Sequence, residues 1–244
     1  MMGASFQTVG VTDATIDINQ IVPDEKTTGV DWSSEDLDFG ASLLIWDGAS
    51  YANSTYYWTG EVPAEFREAA ELDDSYNNIW VNGDLEPVEE KLPAGTAFWI
   101  QDVNRTDSDQ ANVTVSGEVA PTTANRTFAA KTQLTMLANP YPVAINLNEL
   151  VLTDVAGVDW SSEDLDFGAS LLIWDGSSYA DSTYYWTGEV PAEFREAAEL
   201  DDSYNNIWVN GDLEPVEITL PVGGAFWLRN PDAKATSSVT FPER

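Results

Sequence analysis

Short runs of aromatic and branched apolar residues recur along the chain, separated by polar turn residues. Such runs include LLIW at 43–46, TYYW at 55–58, IWV at 79–81 and TAFWIQD at 96–102. Short runs of this composition, broken by turn signals about every 8–12 residues, are typical of strands in sandwiches and barrels. The pattern therefore predicts an all-β fold that is β-sandwich-like or barrel-like.

Two predicted hairpins carry turn dipeptides that tolerate a positive φ. LLIW is followed by Asp47-Gly48 and then by SYANSTYYW, and NNIWV is followed by Asn82-Gly83. Both dipeptides favour the type I′ turn of a two-residue hairpin. PAEFREAAEL at 63–72 is the one predicted helix, because Pro stands near its start and apolar residues recur on one side.

The same unit occurs twice in the chain. VDWSSEDLDFGASLLIWDG stands at 30–48 and again, unchanged, at 158–176. The longer stretches Gly29–Ile100 and Gly157–Leu228 differ at only seven positions. A repeat this long corresponds to a whole domain rather than to the short unit of a solenoid.

Weaker similarity extends the repeated unit on both sides. TIDINQIV resembles AINLNELV upstream, and NVTVSGEV resembles SSVTFPER downstream. Each unit then has the length of one ordinary domain. We predict two tandem, near-identical β domains with one short helix each, at residues 1–118 and 127–244, joined by a linker at 119–126.

The charge balance excludes several classes of partner. The chain has 42 acidic and 10 basic residues, a net charge of −32, and neither Cys nor His. A polyanionic surface repels nucleic acid and anionic lipid, so we predict neither nucleic-acid binding nor membrane insertion. Disulfides, His-based catalytic triads and His-ligated metals are excluded by composition.

The second unit contains a series of turn and strand motifs. It begins with TMLANPYPVAINLNELV at 135–151 and continues with VDW, LLIWDGSSY, TYYW and GGAFWL. In these motifs the chain resembles a loose family of secreted bacterial surface proteins. Their tandem β-rich modules carry an NPYP turn, an Asp-Trp, a WDG hairpin and a late Phe-Trp strand. The resemblance implies a β fold, export, and a location at the cell surface or outside the cell. The first unit has TVGVTDATI at 8–16 in place of the NPYP segment.

Carboxylates are the abundant reactive groups, and they cluster in two loops of each unit. Calcium binds oxygen ligands from closely spaced carboxylates, so one interpretation of these loops is a calcium site. The other is solvated turns in which Asp and Asn cap the local backbone. The candidate metal ligands are Glu35, Asp36, Asp38, Asp73 and Asp74, with Glu163, Asp164, Asp166, Asp201 and Asp202 in the second unit.

A glycoside hydrolase also needs two carboxylates, one of them with a raised pKa. We favour this interpretation least, because any acidic protein offers carboxylate pairs and two identical active sites in one chain would be unusual. We therefore predict no catalytic residues and no enzymatic activity.

Aromatic residues and sequons provide candidate contact and modification sites. Neighbouring aromatics in a strand point to opposite faces, so about half of them should be in the core and the rest could contact sugar or protein. The candidates for such contacts are Trp46, Trp58, Trp80, Trp174, Trp186 and Trp208. The candidate glycosylation sites are Asn53, Asn104, Asn112 and Asn125.

The duplicated unit favours a non-catalytic exported structural protein that assembles with copies of itself into an extracellular fibre, sheath or lattice. The exchanges Glu90/Ile218 and Lys91/Thr219 remove two charges from a strand edge, and loss of edge charges invites pairing. The predicted assembly edge therefore comprises Val216, Glu217, Ile218, Thr219 and Leu220. The alternative is a bivalent carbohydrate-binding or adhesin module with glycans as partners and two equal sites.

Overall fold

The computed structural model of the chain describes residues 5–10, 15–34, 37–70, 73–105, 112–117, 123–130, 134–161, 166–176, 178–180, 182–197 and 202–244. Within these ranges the chain forms short β-strands in several sheets, with two short α-helices. The predicted all-β, β-sandwich-like character is confirmed. We call residues 5–117 the N half and residues 123–244 the C half.

The N half is built on a five-stranded antiparallel sheet. The described strands of the whole N half, including those of its small sheets, are β1 (Ser5–Gly10), β2 (Thr15–Asp17), β3 (Ile21–Pro23), β4 (Ala41–Ile45), β5 (Thr55–Trp58), β6 (Trp80–Val81), β7 (Lys91–Pro93), β8 (Ala97–Asp102) and β9 (Val113–Val115). The large sheet has the order β1-β8-β4-β5-β6, and two small sheets pair β2 with β7 and β3 with β9. Sequence neighbours β4 and β5 lie side by side, as expected for a hairpin.

The C half repeats this arrangement. Its strands are β10 (Arg126–Ala129), β11 (Leu134–Ala138), β12 (Ile145–Asn146), β13 (Val151–Thr153), β14 (Ser170–Leu172), β15 (Thr183–Trp186), β16 (Trp208–Val209), β17 (Thr219–Leu220), β18 (Ala225–Arg229) and β19 (Ser238–Phe241). The large sheet has the order β11-β18-β14-β15-β16, with small sheets β12-β17 and β10-β19-β13.

Every strand pairing among the described residues stays inside one half. Strand β10 begins at Arg126, the last residue of the predicted linker. The division into separate domains at 1–118 and 127–244 stays a prediction.

Each half has its own apolar core beneath its large sheet. Trp80 in the N half and Trp208 in the C half are fully buried. Their indole N–H groups donate to the carbonyl oxygens of Ile21 (2.8 Å) and Leu147 (3.2 Å). A Trp contributes a large apolar area to a core, and its buried N–H needs such a partner. The two Trp therefore tie β3 in the N half, and the turn that follows β12 in the C half, to the large sheets.

The predicted hairpins are present, but their turns differ from the expectation. Strand β4 pairs with β5, with Ser42 opposite Tyr57, and the Asp47 carboxylate caps the longer intervening loop by accepting from the Ala49 N–H at 2.7 Å. In the second turn, Asn82 caps the backbone through its side-chain oxygen, and the positive φ of 61° falls on Leu85 rather than on a glycine.

The predicted helix is confirmed in both halves, as α1 (Ala64–Ala70) and α2 (Ala192–Ala197). Each packs on a small apolar cluster outside the main core. The N lobe, as we call it, clusters Val30, Trp32 and Val62 with Leu37, Phe39, Phe66, Tyr76 and Leu85. The C lobe clusters Val158, Trp160 and Val190 with Phe167, Phe194, Tyr204 and Leu213.

Candidate functional surfaces

The two halves contact each other through the outer faces of their large sheets. In β8, Phe98 and Ile100 enter the N-half core, whereas Ala97 and Trp99 face the C half, as the alternation of a strand requires. Strand β18 does the same in the C half. The inter-half cluster comprises Ala97, Trp99, Met136, Ala138, Ala225 and Trp227, surrounded by Leu44, Trp46, Tyr51, Leu134, Leu172, Trp174 and Tyr179.

Two Trp pairs across this contact are equivalent to each other. Trp46 packs edge-on against Trp227, with ring centroids 5.4 Å apart at 83°, and Trp99 packs against Trp174 at 5.7 Å and 81°. In the repeat, position 46 corresponds to 174 and position 99 to 227. Each contact is thus the other with the halves exchanged. A contact of this isologous kind closes on itself and does not propagate.

Backbone groups also join the halves. The Ala138 N–H donates to the Gly95 carbonyl at 3.0 Å, and the Trp46 indole N–H donates to the Leu134 carbonyl at 3.0 Å. Gly95 has φ +90°, and a Cβ there would lie 2.3 Å from Cζ of Phe128. Only glycine therefore lets the N half approach β10 so closely.

Two tyrosines lie beside the paired Trp residues. Burial raises the pKa of Tyr51 to about 12 and also raises the pKa of Tyr179. The Trp227 indole N–H donates to the Tyr179 hydroxyl at 3.0 Å. Both hydroxyls therefore stay neutral and act as hydrogen-bond partners rather than as bases.

The surface around the lobes is strongly acidic. Hydrogen bonds from Ser33 lower the pKa of Asp31, and those from Ser75 lower the pKa of Asp73, so both carboxylates are ionised at neutral pH. Around the N lobe the exposed carboxylates of the described residues include Asp31, Asp38, Glu61, Glu65, Asp73, Asp74, Asp84 and Glu86. This surface attracts cationic groups and hydrated cations.

The candidate metal ligands are not brought together where the structure describes them. Glu35, Asp36, Glu163, Asp164, Asp201 and the side chain of Asp202 lie outside the described residues.

Of the described candidates, Asp73 caps its turn by accepting from the Ser75 N–H at 2.8 Å, and Asp74 pairs with Arg67. Asp38 and Asp166 are exposed. Within the described part of the chain, no three acidic side chains are placed to hold a metal. Asp73 therefore acts as a turn cap and Asp74 in an ion pair, and the calcium site stays a prediction.

The carboxylate of Asp24 forms an ion pair with a nearly buried arginine, Arg105. Arg105 is 7% exposed and lies 3.3 Å from Asp24. Burial raises the pKa of Asp24, but hydrogen bonds from Thr27, Asn112 and Arg105 outweigh it and bring the pKa to about 2. A glycosidase acid requires a pKa raised towards neutrality. Each described carboxylate with a resolved shift is lowered instead.

The six Trp candidates for sugar contact are placed elsewhere. Trp58, Trp80, Trp186 and Trp208 are 0–6% exposed and belong to the two cores. Trp46 and Trp174 contact the opposite half. The sugar-contact prediction is therefore wrong for the first four, and the last two make a protein contact inside the chain.

The predicted assembly edge is also covered in part. Strand β17 pairs with β12, the Ile218 carbonyl accepts from Leu147, and the Ile218 side chain is 6% exposed in the C-half core. In the N half, β7 pairs with β2 in the same way. We expected this strand edge to be open in the C half and closed in the N half, but both β17 and β7 are paired in the same way. Val216 is half-buried, Glu217 and Thr219 are exposed, and Leu220 is buried.

The four sequon asparagines are all exposed. Asn125 accepts a hydrogen bond from the Glu243 N–H at 2.8 Å, and Asn112 donates weakly to Asp24 at 3.4 Å. Asn53 lies in the loop between β4 and β5, and Asn104 follows β8. Their modification stays a prediction.

The NPYP segment has a structural role that sequence reasoning left unassigned. The Tyr141 hydroxyl lies 2.9 Å from the Ala124 carbonyl oxygen and 3.0 Å from that of Phe241, which share its one donor proton, and the Tyr141 ring is fully buried. The fully buried Asn139 side chain bridges the Val143 and Pro221 carbonyls. Pro140 and Pro142, which flank Tyr141, fix φ and lack an N–H, and they were the feature of the sequence that could have indicated a rigid turn here.

Comparisons with protein-family models, with curated proteins and with solved structures gave no significant match. The resemblance to the tandem surface-module family stays a prediction. Among the described residues, no helix is long and apolar enough to span a membrane.

Proposed function

We propose that this chain is a non-catalytic exported protein that presents one acidic surface twice, as a bivalent binding or structural module outside the cell. The observation that carries the proposal is the reciprocal pair of contacts Trp46–Trp227 and Trp99–Trp174. Because an isologous contact is complete within one chain, it joins the halves and leaves both lobes outside the contact. Export rests on the sequence resemblance.

The lobes are the surfaces that the proposal assigns to binding. None of the seven positions that differ between the repeats lies in either lobe cluster. Two equal sites on one chain increase retention on a surface with many ligand copies by about 10²–10⁴ over one site. The exposed carboxylates favour a ligand that carries positive charge or binds together with a cation.

Self-assembly into a fibre, sheath or lattice is the second candidate. It requires a contact outside the inter-half cluster, because the contact between the copies closes on itself. The observation that favours it is a pair of exposed valines on the C half, Val143 (42%) and Val222 (53%). Asn139 binds the carbonyl of Val143 and that of Pro221, the neighbour of Val222, so the two valines flank one buried side chain.

The test compares matched charge reversals on immobilised glycans and basic proteins at high and low density. Glu61→Lys with Glu65→Lys alters the N lobe, and Glu189→Lys with Glu193→Lys alters the C lobe; all four residues are exposed. We expect each pair to reduce retention on the dense surface by about 10²-fold or more, and much less on the sparse one.

The control for this experiment reverses two exposed carboxylates outside the lobes, Glu89→Lys with Glu243→Lys, with the same change in net charge. A chain that no surface retains, or a control that loses as much as the lobe variants, contradicts the proposal. Light scattering at high protein concentration separates the second candidate, since only that candidate predicts growth beyond the single chain.

A further inference from the structure

One small sheet differs between the halves: it is β3-β9 in the N half and β10-β19-β13 in the C half. In the C half, β19 lies between β10 and β13 and pairs with both. The counterpart of β19 in the N half is β9, because VTV at 113–115 corresponds to VTF at 239–241. Among the described residues, β9 pairs with β3 and with no other strand. One edge that is filled in the C half is therefore unpaired in the described N half.

Strand β10 shows how that edge is filled in the C half. Phe128 packs edge-on against Phe241, with ring centroids 5.5 Å apart at 89°. The hydroxyls of Thr127 and Thr240 form a hydrogen bond of 2.8 Å across the strands. With β10 in place, Val239 and Phe241 are fully buried, whereas their N-half counterparts Val113 and Val115 are only half-buried.

The free backbone groups of β9 can be assigned from its pairing with β3. Asp24 donates its N–H to the Asn112 carbonyl at 2.8 Å, and Ser116 donates its N–H to the Gln20 carbonyl at 3.3 Å. Because successive residues of a strand point their hydrogen-bonding groups to opposite sides, those of Val113 and Val115 face away from β3. These are the positions whose C-half counterparts face β10.

We propose that the outer edge of β9 binds an extended segment of a separate polypeptide, added as an antiparallel strand. The segment has the pattern of β10: a basic residue, then an aromatic and a small residue at alternate positions, as in Arg126, Phe128 and Ala130. Main-chain hydrogen bonds supply affinity in this mode, and the alternate side chains supply specificity. The acidic chain attracts the basic residue. This site is single and goes beyond the duplicated lobe surface.

The probe is a capped peptide with the sequence of residues 124–131, ANRTFAAK, titrated into the full chain by calorimetry at about 0.5 M NaCl, where surface electrostatics are screened. We expect one peptide to bind per chain, because β10 already fills the counterpart edge. Hydrogen exchange of the Val113 and Val115 amides should slow at least tenfold, with Val239 and Phe241 unchanged. No binding at millimolar peptide, or equal binding of a scrambled peptide, overturns the proposal.

Two controls separate strand addition from other binding. In β10 the Phe128 residue pairs directly with Val239, so a peptide N-methylated at that Phe loses a backbone donor while the protein is untouched. Val113→Pro removes the outward N–H at the first residue of β9, where proline is tolerated. Both changes should weaken binding at least tenfold, and the variant must keep its melting temperature. Binding of the N-methylated peptide at full strength refutes the edge as the site.

Discussion

Gly95 provides the sharpest test of how the halves contact each other. It lies in the turn before β8 of the N half, and Phe128 lies on β10 of the C half. In Gly95→Ala, the new Cβ would lie 2.3 Å from Cζ and 2.6 Å from Cε1 of Phe128. It would also hold an alanine at φ +90°, a conformation that residues with a Cβ rarely adopt.

Two terms add up in this variant. Overpacking a filled contact costs about 1–3 kcal/mol, and a strained positive φ costs about 1–3 kcal/mol. We therefore expect Gly95→Ala to lower the free energy of unfolding by about 2–6 kcal/mol. Gly83→Ala is the matched control, because its Cβ would meet no atom within 4 Å and its φ is not positive. That change should leave stability unaltered or raise it by up to about 1 kcal/mol.

The measurement is urea unfolding followed by Trp fluorescence. Adding Phe128→Ala to Gly95→Ala should remove the clash, so Phe128→Ala should cost about 1–3 kcal/mol less in that background than in the wild-type chain. If Gly95→Ala is as stable as Gly83→Ala, or if the cycle shows no coupling, the described contact between β10 and the N half is incorrect.

Other consequences can be measured in the same chain. Asp24→Asn should lower the free energy of unfolding by about 2 kcal/mol at pH 6, because the pKa of the Asp24 carboxyl is about 2 in the folded chain and about 3.9 in the unfolded chain. Urea titrations should show the stability difference between the wild-type chain and the variant shrinking as the pH falls from about 4 through about 2. Ile218→Glu should lower the free energy of unfolding by about 2–4 kcal/mol, because the Ile218 side chain is buried. The reciprocal change Glu90→Ile, at the exposed N-half counterpart, should lower it by less than about 0.5 kcal/mol in the same urea assay. The melting temperature should rise between about 0.01 and 1 M NaCl because salt screens the charge of −32, and a further rise in calcium that a chelator reverses is the result that a specific metal site requires.

Much of the local structure could be predicted from the sequence because it depends on local chemistry. The strand runs, the paired hairpins and the short helix all follow from side-chain alternation and turn residues. The turn at Asn82 shows the limit of this reasoning. Its Asn-Gly dipeptide predicted a positive φ at the turn centre, yet Leu85 adopts it, because Asn82 binds two downstream N–H groups while the Leu85 side chain packs in the N lobe.

The contact between the halves could not be read from the pattern. Trp46 and Trp58 stand in similar aromatic runs, and alternation shows only that neighbouring residues face opposite sides of a sheet. Which side covers a core and which side meets a second sheet depends on the pairing of distant strands. Ile218 shows the same limit: its exchange with Glu90 was visible as a loss of charge, but its burial depends on how β17 lies against β12.

The reciprocal contact also accounts for part of the near-identity of the repeats. An isologous contact places the same residues on both sides, so a change at one position alters only one of two equivalent contacts and breaks the match between them. Trp46, Trp99 and their counterparts are identical in the two halves, and none of the seven differing positions lies in the inter-half cluster. The match does not extend to β11, whose cluster residues Leu134, Met136 and Ala138 correspond to Phe6, Thr8 and Gly10 on β1. The lobes are equally unchanged, although they lie outside that cluster. Matching between the halves therefore leaves the identity of the lobes unexplained. The ligand that we propose for both lobes would supply that requirement.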